Sequence, residues 1–230
     1  FENPYLDVEK TKSIVGQPAF MKEGYEAQLA SVVLLKNEGN VLPMDGKKTV
    51  YVPKRFTPAS RNFLGIESPT SEDYPMNMDL VKKYFNTTDN PAEADFALVF
   101  IQNPSSGTGY SKEDVAKGEN GYLPISLQYG DYIATEAREV SLAGGDPLEN
   151  FTNRAYKGKS VKTSNVTDAQ LVKDTKEKMG DKPVILIVNA TNPLILSEVE
   201  PLSASLLISF GLQDQALLDI ILGKAEPQAL

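Results

Sequence analysis

Three carboxylates stand close together in one polar stretch: Glu113, Asp114 and Glu119, within QNPSSGTGYSKEDVAKGENGYLP (102–124). Tyr110, Tyr122, Lys112 and Lys117 lie among them. Neighbouring carboxyls do acid–base work when their surroundings make one a proton donor and leave another ionised. The chain offers few other reagents. It contains no His, so Ser–His and Cys–His catalysis and His-ligated metals are excluded within it. It contains no Cys, which removes thiolates, disulfides and zinc–sulfur sites. Proton transfer by this chain falls to Asp, Glu, Lys or Tyr, and no cofactor is implied.

The element that must position these carboxylates is the run DFALVFI (95–101), a buried strand that leads straight into the polar stretch. A long polar loop at the carboxyl end of such a strand is where open α/β sheets place ligands. Two further continuous apolar runs, PVILIVN (183–189) and SLLISFG (205–211), have the character of strands buried on both faces. TVYVP (49–53) is a shorter strand. Helices are expected at NMDLVKKYF (77–85), from Thr167 or Asp168 to Met179 with Gly180 as stop, and at DQALLDIILG (214–223). Ala27, Leu29, Ala30, Val33 and Leu34 recur at helical spacing, which extends a helix over about 20–36. A helix-like LILSEVE (194–200) and a strand-then-helix over 125–141 complete the pattern. Alternation of this kind predicts an α/β fold, a three-layer α/β/α sandwich with a mostly parallel sheet. Residues 1–16 are expected to be an extended linker and 17–230 one domain.

Composition narrows the partners. Of the 230 residues, 23 are Lys or Arg and 31 are Asp or Glu, a formal net charge of −8, so no nucleic-acid partner is indicated. No window approaches the ~18 apolar residues of a membrane span. GTGY (107–110) does not complete a Walker pattern, and GxGxxG is absent, which counts against a nucleotide enzyme. Sequons at Asn86, Asn150, Asn165 and Asn189 are short enough to arise by chance. Tyr110, Tyr122 and Tyr129 near the acidic stretch have rings suited to sugar faces, although Tyr in a loop is more often ordinary surface packing.

FENPY (1–5), ASVVLLKNEGNVLP (30–43), the strand 95–101 with its acidic loop, PVILIVNATNPLIL (183–196) and LLDIILGKAEPQ (217–228) occur in this order. Together they resemble the C-terminal α/β sandwich domain of glycoside hydrolase family 3, the β-glucosidase and β-xylosidase type. VLLKNEGNVLP is the most specific piece. The resemblance implies a retaining exo-β-glycosidase, with β-linked glucosides or oligosaccharides as substrates. It implies an Asp nucleophile on an N-terminal (β/α) barrel missing from this chain and an acid/base Glu on a loop of the sandwich. It also implies an exported enzyme and an inactive isolated domain.

In the family's loop a Glu precedes a Lys-Gly or Gly-Asp step and then an apolar-Pro run. Glu113, ahead of Lys117-Gly118-Glu119 and Leu123-Pro124, takes that place, with Glu119 where many members have Asp. The family's strand-end Gly-Glu is Gln102-Asn103 here, and an Arg that often follows the acidic step is missing. Glu113 is therefore ranked ahead of Glu119, with Asp114 third, and Tyr110 and Tyr122 are the substrate-binding candidates. A carbohydrate-binding or scaffolding α/β module without chemistry is the competing reading.

Overall fold

The computed structural model describes residues 5–61 and 64–228. Six strands form its main sheet: β1 (Val33–Asn37), β2 (Thr49–Tyr51), β3 (Asn86–Thr88), β4 (Phe96–Gln102), β5 (Val184–Asn189) and β6 (Ser205–Ser209). Their order is β1–β6–β5–β4–β2–β3. All neighbours run parallel except β1, which is antiparallel to β6. The helices are α1 (Val8–Ile14), α2 (Pro18–Ala30), α3 (Met78–Tyr84), α4 (Lys112–Ala116), α5 (Thr167–Met179) and α6 (Asp214–Ile221).

The period-two alternation of a strand divides the apolar runs between two cores. Phe96, Leu98, Ile185, Ile187 and Leu207 pack toward Val81 of α3 and Leu217, Leu218 and Ile221 of α6. Val99, Leu186, Val188, Leu206 and Ile208 pack on the opposite face with Ala169, Val172 and Met179 of α5. Burying a Leu or Ile side chain contributes about 1.5–3 kcal/mol, and the three central strands bury such side chains on both faces. The α/β sandwich with a mostly parallel sheet agrees with the sequence reading.

Four local expectations differ from the structure. The helix expected over 20–36 stops at Ala30, and Val33–Asn37 is an edge strand with a bulge between Leu34 and Lys36. Four apolar residues in a row fit either period, and pairing with β6 decides for the strand. Within 1–16, Val8–Ile14 is helical rather than extended, capped by Asp7, whose carboxylate accepts from the Lys10 N–H at 3.1 Å. Residues 1–4 lie outside the described residues. The segment 125–141 forms only a two-residue strand, Tyr132–Ile133, paired with Ser160–Val161. Its backbone is held instead by Glu198, whose carboxylate accepts from the N–H groups of Tyr129 (2.6 Å) and Gly130 (2.8 Å). Between 194 and 200 the chain makes turns and ends in a 3₁₀ turn, Glu200–Leu202, which contains Pro201.

On the first face, α2 and α3 are pinned to α6 through Asp219. Its carboxylate accepts from the hydroxyls of Tyr25 and Tyr84 and from Lys224 Nζ at 3.0 Å. Burial pushes the Asp219 carboxyl up, but the bonds from Tyr25, Lys224 and Tyr84 together outweigh it and leave the group below its ordinary value. Such a group stabilises the fold fully above the unfolded pKa of about 4 and loses its contribution as pH falls through the lowered folded value. Asp219→Ala is expected to cost about 2–3 kcal/mol at pH 7, since it strands two hydroxyls and an ammonium. Urea titrations of both proteins from pH 7 downward should show the difference shrinking in strongly acidic solution.

Candidate functional site

The acidic stretch leaves β4 at the middle of the sheet, and its root is fixed by buried polar groups. Asn103 is 6% exposed, and its Oδ1 accepts from the Thr191 N–H (2.9 Å) and hydroxyl (3.0 Å) on the loop that follows β5. Asp168, 1% exposed, accepts from Arg55 Nε at 2.7 Å and Nη2 at 2.9 Å, from Asn165 Nδ2 at 2.8 Å, and from the Gln102 N–H at 3.2 Å. The Tyr129 hydroxyl donates to the Gln102 carbonyl at 2.6 Å. Tyr129 is buried and its phenol is pushed up mainly by desolvation, so it belongs to the scaffold and not to a surface cluster of tyrosines. Asn165 and Asn189, two of the sequon residues, commit their amides inside this framework.

Beyond the root, Ser111 starts α4 with its hydroxyl accepting from the Asp114 N–H (3.3 Å) while donating to Glu113 Oε2 (2.8 Å). That hydrogen bond, helped by the Glu113 backbone N–H and weakly by Lys112 and Lys117, holds the Glu113 carboxyl below the ordinary glutamate value. Glu113 is exposed. Asp114 turns inward: its Oδ2 accepts from Lys159 Nζ at 2.6 Å and from the Gly121 N–H at 2.9 Å. Lys159 also donates to Asn120 Oδ1 at 2.7 Å and lies 3.6 Å from Glu119 Oε2. Asn120 Nδ2 in turn donates to the carbonyls of Asn153 and Ala155 at 2.9 and 2.8 Å, which laces the acidic stretch to 153–160.

Glu113, Asp114 and Glu119 thus share one cleft of about 620 Å³ with Lys117, Lys157 and Lys159. The tyrosine candidates lie apart from its walls. Tyr110 and Tyr122 pair edge-to-face at 5.6 Å, Tyr122 meets Phe151 at 5.9 Å, and the Arg154 guanidinium lies 5.8 Å from the Tyr122 ring centre. Tyr110 is 39% exposed at the open end of this row. Gly121 makes the arrangement possible. Its φ is +78°, and a Cβ there would fall 2.6 Å from the Tyr110 ring and 2.7 Å from Val115.

Sequence reading missed Lys159 and Asn120. Lys159 sits in YKGKS (156–160), a polar loop with no periodic signal, and only its charge complements the acidic stretch. Among the described residues no group of three or more His, Cys, Asp or Glu is placed to hold a metal ion, and no helix is long and apolar enough to cross a membrane.

The model of the glycosyl hydrolase family 3 C-terminal domain matches residues 32–230. The chain belongs to this family. Among its relatives, beta-glucosidase C of Emericella nidulans is 23% identical over 233 residues, which span 99% of this chain and 27% of that protein. The family 3 chain therefore spans about a quarter of the length of the relatives it matches. The β-glucosidase of Listeria innocua, solved with isofagomine, superposes with a TM-score of 0.52 at 15% identity, covering 98% of this chain and 28% of that one. For the family 3 β-glucosidase of Bifidobacterium adolescentis the values are 0.50, 15%, 99% and 29%. At such identities the solved structures establish a shared fold.

Within this family 3 domain, Gly121 and Gly118 make an internal control for the shape of the loop. Both have positive φ, +78° and +85°, but nothing lies within 4 Å of a Cβ at Gly118. Gly118→Ala is expected to cost about 1 kcal/mol of backbone strain. Gly121→Ala adds the collision with Tyr110 and Val115, for a total of about 2–4 kcal/mol. Thermal or urea unfolding of the two variants measures the difference.

Proposed function

We propose that this chain supplies the general acid/base carboxyl of a retaining exo-β-glycosidase of the β-glucosidase type, to an active site shared with an N-terminal (β/α) barrel. The observation that carries the reading is the division of labour on α4. Asp114 is bound by a lysine and a backbone N–H, whereas the adjacent Glu113 is exposed, its carboxylate held by the Ser111 hydroxyl and its own backbone N–H. Family membership, and the quarter of the relatives' length that this chain spans, supply the context.

Retaining hydrolysis needs two carboxyl groups about 5–5.5 Å apart, one attacking the anomeric carbon and one protonating the leaving oxygen. The proton donor must be neutral when the substrate arrives. In this chain Glu113 is held on the ionised side by Ser111. Docking of a second wall over the cleft would strip water from its carboxylate and raise its pKa, the change an acid/base residue requires. Glu119, 3.6 Å from Lys159 Nζ at the edge of the same cleft, is the second candidate. Tyr110, at the exposed end of its aromatic row, is the ring we assign to stacking on a sugar face, with Tyr122 supporting it. The isolated domain, without a nucleophile opposite Glu113, is expected to be inactive, and the whole enzyme is taken to be exported.

In the full-length protein, Glu113→Gln should lower kcat/KM on an alkyl β-glucoside by about 10²–10⁴-fold. A dinitrophenyl glucoside, whose leaving group needs no proton, should still react in the glycosylation step, and added azide should speed release of the glycosyl enzyme. Wild-type turnover of the alkyl glucoside by Glu113→Gln would pass the role to Glu119. The same result for Glu119→Gln would end the acid/base reading.

A further inference from the structure

We infer that Lys159 is a positioning residue for the acid/base loop: by clasping Asp114 and Asn120 it orients α4 so that Glu113 stands free in the cleft. The kinetic part of this inference rests on the function proposed above, while the clasp stands on geometry alone.

Glu113 and Asp114 are adjacent on a helix of five residues, too short to be stable unless something outside it fixes it. Its own contribution is the Ser111 cap. Backbone bonds join its two ends, Ser111 N–H to the Gly121 carbonyl at 2.8 Å, and the charged tie from outside is Lys159, whose side chain is 18% exposed and whose ammonium makes two short bonds, 2.6 Å to Asp114 and 2.7 Å to Asn120. Charge-assisted bonds of that length are roughly twice as strong as neutral ones. Partial burial of both partners, with Asp114 at 16%, sets the pair apart from an exposed ion pair worth about 0–1 kcal/mol.

The lysine is itself well anchored. Its carbonyl accepts from the Ala134 N–H at 3.0 Å, and Gly158 donates to the Ala134 carbonyl at 3.0 Å, so the ladder at 132–134 sets the backbone from which Nζ extends. Asp114 and Lys159 are 45 positions apart, so the clasp ties the acidic stretch to a distant segment at one charged point. The consequence for chemistry is a separation of roles. Asp114 is ion-paired and turned inward, and Glu113 keeps only the Ser111 hydroxyl and its own backbone N–H on its carboxylate. Were Lys159 lost, the Asp114 carboxylate would keep only the Gly121 N–H, and α4 would be held less firmly.

Two measurements test this. The first uses the 230-residue chain and amide hydrogen exchange. Lys159→Met should accelerate exchange across 111–122 by about tenfold or more, a local opening with β4 and β5 unchanged; Lys159→Arg should restore most of the protection. Unchanged exchange at 111–122 in Lys159→Met overturns the clasp. Acceleration extending equally through β4 and β5 reports general destabilisation and overturns it as well.

The second measurement uses the full-length enzyme with two leaving groups. Lys159→Met should lose about 10–100-fold in kcat on an alkyl β-glucoside, since misplaced acid catalysis forfeits part of a 10²–10⁴-fold effect. It should lose under about threefold on the glycosylation step of the dinitrophenyl glucoside, which needs no proton donor, and KM should move little. Equal losses on both substrates, or no loss on either, overturn the positioning role. If Glu113→Gln and Glu119→Gln are both silent, the acid/base reading fails instead, and the exchange result alone decides whether Lys159 clasps the loop.

Discussion

The Asp168–Arg55 pair is the constraint on which the rest of the functional end of this domain depends. A sheet whose central strands are apolar on both faces can admit polar chain only where the strands stop. At that boundary Asp168, at the start of α5, gathers Arg55 from the short strand Arg55–Thr57 that follows β2, the Gln102 N–H at the end of β4, and Asn165. One buried carboxylate therefore joins three separate segments. Burying a carboxylate is tolerable because every one of these donors is satisfied by it, and removal of a single partner would leave charge without compensation. The polar loop begins from a point held in this way.

Above that point the carboxylates differ in their surroundings more than in their chemistry. Asp114 meets an ammonium and an amide, Glu119 lies near the same ammonium but is mostly exposed, and Glu113 meets a hydroxyl. Family membership and the proposed role agree with a protein that keeps its reagents simple. Within a chain lacking His and Cys, environment alone must separate a structural carboxylate from a working one.

The central sheet was legible because VILIVN and SLLIS are too short and too uniformly apolar, between turn signals, to suit amphipathic helices. NMDLVKKYF was read as a short helix, and in the structure Asn77 caps it, its side chain accepting from the Asp79 and Leu80 N–H groups. VLLKN was misread because its pairing partner, β6, lies far along the chain and no local pattern announces it. The segment 125–141 was misread for a related reason: its backbone is met by scattered distant partners, among them the Glu198 side chain, Ile195 and a two-residue pairing with 160–161. Composition pointed to the acidic loop, and the resemblance ranked its carboxylates. The clasp at Lys159 could not be found that way, since a contact between positions 45 apart in two aperiodic loops follows no spacing rule.

The Ser111–Glu113 hydrogen bond has a thermodynamic corollary. In the open domain it favours the deprotonated carboxyl, whereas the assembled site of the proposed enzyme needs the protonated one. Closing the site would then take a proton from solvent, making hydronium a ligand of assembly in the sense of linkage. Association of the two parts would weaken with rising alkalinity. The serine hydroxyl would bias that equilibrium toward release of the proton whenever water returns to the cleft.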